Sequence, residues 1–185
     1  MHEKNAAINK IGFLRNNEYY QMQEKFDDLY KKSENKANFK NLMPIITSSK
    51  NIRLAFRNLK TNKGIKTPGV DGKTIDDLKA LTIKDLIKYV NKRLNAYNPH
   101  MIRRVFIEKE NGKKRPLGIP TIEDRLIQQC IKQVLEPICE VKFHKHSYGF
   151  RPNRNTHHAV SRVKLLINRA KLHYAVSIDI KVITS

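Results

Sequence analysis

Residues 102–119 read IRRVFIEKENGKKRPLGI. The Asn111-Gly112 pair at their centre is the strongest short-range hairpin signal, because both residue types tolerate the positive φ of a tight turn. Ile102–Ile107 forms the first arm, and Leu117–Ile119 belongs to the second. A turn of this kind commits two segments to antiparallel pairing at little cost in loop closure. Everything else in the chain has to be arranged around that ribbon.

The flanking segments carry helical periodicity. Thr82 and Asp85 open LTIKDLIKYVNKRLNAYNP as a capping box, and Ile83, Leu86, Ile87, Val90 and Leu94 then fall on one face, with Pro99 past the end. Thr121 and Asp124 open the next helix, whose face is Ile122, Leu126, Ile127, Cys130, Ile131, Val134 and Leu135, and Pro137 should kink or split it. Upstream, Leu14, Tyr19, Met22, Phe26, Leu29 and Tyr30 suggest one amphipathic helix, and Ser48 or Ser49 caps a second with Ile52, Ala55, Phe56 and Leu59 inward. TNKGIKTPGVDGKT reads as a loop, and THHAVSRVKLLINRAK as a last helix. YAVSID alternates apolar and small residues as a packed strand does, delivering Asp179 to its end. Helices, a hairpin, helices and one strand make an α+β fold class.

Charge narrows the partner. Across 185 residues, 37 Lys+Arg oppose 17 Asp+Glu, a formal net charge of +20. The excess runs along the whole chain, which favours nucleic acid, since cations that displace counterions from phosphates gain binding free energy. A membrane-surface role would need a strongly apolar helix face with exposed Trp or Phe, and none is seen. No run is long enough to cross a bilayer, and MHEKNAAINKIGF has no signal-peptide core. Cys130 and Cys139 fit neither a zinc pattern nor a disulfide framework, so they read as small buried groups in a reducing compartment, placing the protein in the cytoplasm.

Three places could carry chemistry. The hairpin clusters Arg103, Arg104, Lys109, Lys113, Lys114 and Arg115 for phosphate contact, although lysines on an exposed edge also simply prevent aggregation. The loop SYGFRPNRN mixes Tyr148 and Phe150 with Arg151 and Arg154, a combination suited to base stacking beside phosphates. From pattern alone, a turn whose aromatics anchor it to the core explains that loop better. Asp179 is a lone carboxylate at a strand end, whereas a two-metal site needs a second acid nearby. His144 and His146 have poor metal spacing, the adjacent His157 and His158 face different ways, and no phosphate-binding loop, GxSxG or HExxH occurs.

Taken together, GVDGKTIDDL, IRRVFIEKENGKKRPLGIPTIEDRLIQQCIKQVLEPICE, SYGFRPNRNTHHAV and YAVSIDIK, in that order, resemble the N-terminal half of a group II intron-encoded reverse transcriptase, the maturase family. The resemblance runs from about Ile52 to Lys181. It implies a right-hand polymerase in which 1–50 is a basic helical N-terminal extension, 51–172 the fingers and 173–185 the first palm strand, truncated. By position, Arg103, Lys109 and Arg115 would contact the triphosphate of the incoming nucleotide. Arg104, Lys113, Lys114, Tyr148, Phe150, Arg151 and Arg154 would bind nucleic acid. Asp179 would be the first catalytic carboxylate, holding Mg²⁺ with the Ile180 carbonyl. Glu108 stands where the family commonly has proline.

The family continues after Asp-Ile-Lys with a glycine, two aromatics and a second Asp, whereas this chain reads Val182-Ile183-Thr184-Ser185. The expectation is therefore a truncated N-terminal portion of an RNA-directed DNA polymerase. It would bind intron and template RNA, without polymerising or retaining Mg²⁺ alone. DNA primer and nucleotide would be partners of the intact enzyme only. An RNA-binding module without enzymology is the alternative, and an unpaired strand edge leaves a homodimer open.

Overall fold

The computed structural model describes residues 15–108, 110, 112–172 and 174–178. They form two compact units, divided after Lys142. The first contains seven helices among the described residues: α1 (Asn16–Tyr19), α2 (Gln23–Glu34), α3 (Met43–Ile46), α4 (Ser49–Leu59), α5 (Ile75–Lys79), α6 (Ile83–Asn95) and α7 (Ile122–Glu140). A hairpin of β1 (Arg103–Glu108) and β2 (Lys114–Ile119) separates α6 from α7. The mixed class expected from the sequence is thus present, with a two-stranded antiparallel sheet.

Helix α7 is the axis of this unit, and α2, α3, α4 and α5 all pack on it. Its apolar face supplies Ile122, Leu126, Cys130 and Val134, all fully buried in one cluster with Ile52, Leu54 and Ala55 of α4 and Leu86 and Val90 of α6, and Ile127 is fully buried as well. Burying each such branched side chain contributes about 1.5–3 kcal/mol. Two buried amides add specificity to the seam between α4 and α7. Asn51 Nδ2 donates to the carbonyls of Ile46 (2.9 Å) and Cys130 (3.0 Å). Gln133 Nε2 donates to the Asn51 carbonyl at 2.7 Å. Burial also pushes the Cys130 thiol up to about 12, which leaves it neutral and inert.

Several details differ from the sequence reading, among them Ile83 and Leu135, which stand exposed and not on the buried faces of α6 and α7. The N-terminal apolar periodicity is carried by two helices, because Gln21 at φ 56 breaks the path between α1 and α2. Tyr19 and Tyr30 stay exposed, while Met22, Phe26 and Leu29 are buried. Pro137 does not split α7, which runs unbroken from Ile122 to Glu140. Ile138 is buried and its carbonyl accepts the Ser33 hydroxyl at 2.8 Å, so packing holds the last turn although proline supplies no N–H. The hairpin turn is wider than two residues: Glu108 pairs with Lys114, so residues 109–113 connect the strands. Caps fared better. Ser48 caps α4, and Thr82 and Thr121 accept the N–H groups of Asp85 and Asp124.

The second unit begins at Phe143 and carries α8 (Thr156–Asn168), capped by Asn155. No residue of α8 is buried. Residues 174–178, expected to be a strand, have no regular secondary structure, and Tyr174, Val176 and Ile178 stand exposed. The described residues give this segment no strand to pair with, and a lone strand leaves every ladder bond unmade.

Candidate nucleic-acid interface

Side chains alternate across a strand, so the register sorts the hairpin cations into two sets. Arg103, Val105 and Ile107 share one face with their partners Ile119, Leu117 and Arg115. Arg104, Phe106 and Glu108 share the other with Gly118, Pro116 and Lys114. The two arginines expected at the triphosphate therefore lie on one face, four pairs apart, roughly 13 Å along the ribbon. Arg104 and Lys114, expected to bind nucleic acid, lie on the opposite face. Phe106, Ile107 and Leu117 are exposed as well, so the ribbon offers apolar as well as cationic surface. Lys109 lies outside the described residues, and Lys113 sits in the connection.

The root of the ribbon is built on the first turn of α7. Asp124, 2% exposed, accepts Arg93 Nη2 at 3.0 Å and the His100 backbone N–H at 2.8 Å, with His100 Nδ1 at 3.0 Å and the Tyr97 hydroxyl at 3.4 Å. Glu123, 7% exposed, accepts Lys73 Nζ at 2.8 Å and the Tyr89 hydroxyl. Burial alone pushes both carboxyls up. It is outweighed, at Asp124 by the His100 and Thr121 bonds and at Glu123 by those from Lys73 and Tyr89, so both stay below their ordinary values. The same contacts raise the Lys73 and Tyr89 values, the latter chiefly through burial.

Arg125 completes the turn. Its Nε donates to the Pro120 carbonyl at 3.0 Å, and its two terminal nitrogens reach the carbonyls of Gly64 (3.3 Å) and Thr67 (2.5 Å). Its affinity for a proton is lowered by burial and then by the charge of Arg103, against the attraction of Asp71. The attraction of Asp71 outweighs the effect of Arg103 on this group, and Arg103 Nε is buried with no hydrogen-bond partner among the described residues. The connection from α4 to α5 presses close as well: a Cβ on Gly69 would stand 2.7 Å from the Thr121 Cα.

Apart from Arg103, none of these root residues was singled out for a role by the sequence beyond capping. A signal was nevertheless present, because Arg125 places a cation in a helix's first turn, where the macrodipole disfavours it.

The SYGFRPNRN loop is held by arginine more than by its aromatics. Arg151, nearly buried, donates to the carbonyls of His144 (2.8 Å) and Ser147 (3.0 Å) and lies over the Phe143 ring. Arg154 donates to the Lys145 carbonyl at 2.8 Å and lies over Tyr148, itself stacked on His146. Phe150, at φ 56, is fully exposed. The aromatic anchor favoured by pattern is therefore not Phe150, which the loop presents outward. Asp179 and Ile180 lie outside the described residues. Among the described residues, no three His, Cys, Asp or Glu side chains group to hold a metal, and no helix is long and apolar enough to cross a membrane.

Residues 107–182 match the family of reverse transcriptases (RNA-dependent DNA polymerases). Within that class, the chain is related to the group II intron-encoded reverse transcriptases and maturases. It is 42% identical over 112 residues to the group II intron-encoded protein LtrA of Lactococcus lactis subsp. cremoris, covering 60% of this chain and 18% of that protein. It is 44% identical over 125 residues to protein YkfC of Escherichia coli strain K12, covering 67% of this chain and 33% of that protein. A maturase-like protein of Euglena gracilis is 38% identical over 122 residues, 64% of this chain and 26% of its own. The chain thus spans a third or less of the length of these relatives.

Proposed function

We propose that this chain acts as the fingers of a group II intron-encoded reverse transcriptase and binds RNA. The observation that carries the reading is the hairpin: a ribbon with cations on both faces, rooted at Arg103, whose Nε is buried with no hydrogen-bond partner among the described residues. Phosphate suits the planar fork of arginine. In this reading Arg103, Lys109 and Arg115 meet the nucleotide triphosphate, and Arg104, Lys113 and Lys114 meet template or intron RNA. Phe150 and Tyr148 offer ring surface for base stacking. Arg151 serves by fixing the loop that presents Phe150, and Arg154 by holding Tyr148.

The same reading divides the chain into a basic extension (1–50), fingers (51–172) and the start of a palm (173–185) within a right-hand polymerase. Asp179 and the Ile180 carbonyl would be ligands for Mg²⁺, a hard cation that takes oxygen donors. Intron RNA, template, DNA primer and nucleotide are its partners, a homodimer is compatible with the open hairpin edges, and the compartment is the cytosol, where Cys130 and Cys139 stay free thiols.

Filter binding of structured intron RNA across a salt series tests the RNA role. Affinity should fall steeply with salt, and weak, salt-insensitive binding would overturn it. Primer extension on an RNA template is the companion measurement. Any extension that the protein supports should be lost in Asp179→Ala, because a two-metal site depends on each of its carboxylates.

A further inference from the structure

Both ends of the hairpin are held by one turn of α7. On the incoming side, Asp124 takes the backbone N–H and ring nitrogen of His100, three residues before β1 begins. On the outgoing side, Arg125 takes the carbonyl of Pro120, the residue after β2 ends. Asp124 is buried and also paired with Arg93, so it cannot itself reach a phosphate. A buried carboxylate with this many donors is a stiff anchor, because every alternative arrangement strands a charge or a donor away from water.

We infer that Asp124 is a positioning residue for RNA binding: through His100 it fixes the incoming end of the hairpin, so that the basic ribbon meets RNA already ordered. Ordering the ribbon beforehand removes an entropy cost from binding. The inference deepens the proposed function and rests on it.

Asp124→Asn separates positioning from charge by the sign of its effect. Removing a negative charge from an RNA-binding protein should tighten binding on charge alone. Positioning requires the opposite: RNA affinity in the whole chain about ten-fold weaker, with the salt slope unchanged because no phosphate contact is lost. Amides of 103–108 and 114–119 should exchange with deuterium faster, while those of α4 should not. His100→Gln leaves the Asp124–Arg93 pair intact and should shift both readouts in the same direction, which keeps the test decisive if Asp124→Asn does not fold. Unchanged hairpin exchange with equal or tighter RNA binding, in either folded variant, overturns the inference. Faster hairpin exchange with unchanged RNA affinity upholds the anchor and overturns the hairpin's part in RNA binding.

Discussion

Glu123 and Asp124 sit side by side in the first turn of α7, both buried and both ionised. Their negative charge suits a helix N-terminus, and their donors come from α6, from the loop that follows it and, with Lys73, from the connection between α4 and α5. Both folded-state values lie below the ordinary carboxyl values of 4.5 and 3.8, so at acid pH the unfolded chain binds more protons than the folded one. Stability from these groups is therefore complete above about pH 5 and is lost as pH falls through the depressed folded values. Urea unfolding should show the midpoint dropping below that pH, and Glu123→Gln should flatten the drop. That variant should also be less stable at neutral pH by roughly 1–3 kcal/mol. Thr121 and Asp124 could be read from the sequence as a cap because a cap is a local device spanning four residues. The second use of Asp124 could not, since Arg93 is 31 residues away and His100 is 24.

Among the elements, the hairpin has the clearest division of labour. The register places Arg103 and Arg115 on one face and Arg104 and Lys114 on the other. Replacing Arg104 and Lys114 with alanine should reduce the salt slope of RNA binding by roughly 1.4, that is about 0.7 for each single-strand phosphate contact. Replacing Arg103 and Arg115 should instead weaken nucleoside triphosphate binding and leave that slope in place. Titrations of both double variants with RNA and with a triphosphate check the assignment. The existence of the hairpin and the identity of its arms were legible, because Asn-Gly and the alternating arms are short-range signals. Its register was not, because a five-residue connection and a two-residue turn both accommodate the same Asn-Gly pair. In α7 the local signal misled in the other direction. Pro137 argues for a break, and only the burial of Ile138 beneath α2 keeps the helix whole.

Across the whole molecule, the excess of cations has to be reconciled with folding. Several of the 17 acids are already engaged in pairs, among them Asp28 with Lys32, Asp76 with Lys79, Glu123 with Lys73 and Asp124 with Arg93. The remaining cations repel, and salt screens that repulsion over a Debye length of about 8–10 Å near physiological strength. The thermal midpoint of the free chain should therefore rise as salt is raised, opposite in direction to the affinity for RNA. Thermal denaturation at low and moderate salt provides the check, and a midpoint that falls with salt would count against self-repulsion. Basic composition is the feature at this scale that points to the proposed polyanionic partner. The sequence also carried a pattern for a strand at 174–178, but a strand needs a neighbour, and alternation within six residues does not supply one.

The hairpin enters and leaves the helical unit at a single point. Arg103 faces Ile119, with about 5 Å between their Cα atoms, and both connections lead directly to the same turn of α7. The residues between can lengthen, shorten or change in composition without altering the distance that the helical body must span. The ribbon is in effect a cartridge in a fixed socket. Its chemistry can diverge while the amide pair of Asn51 and Gln133 and the apolar face of α7 stay as they are.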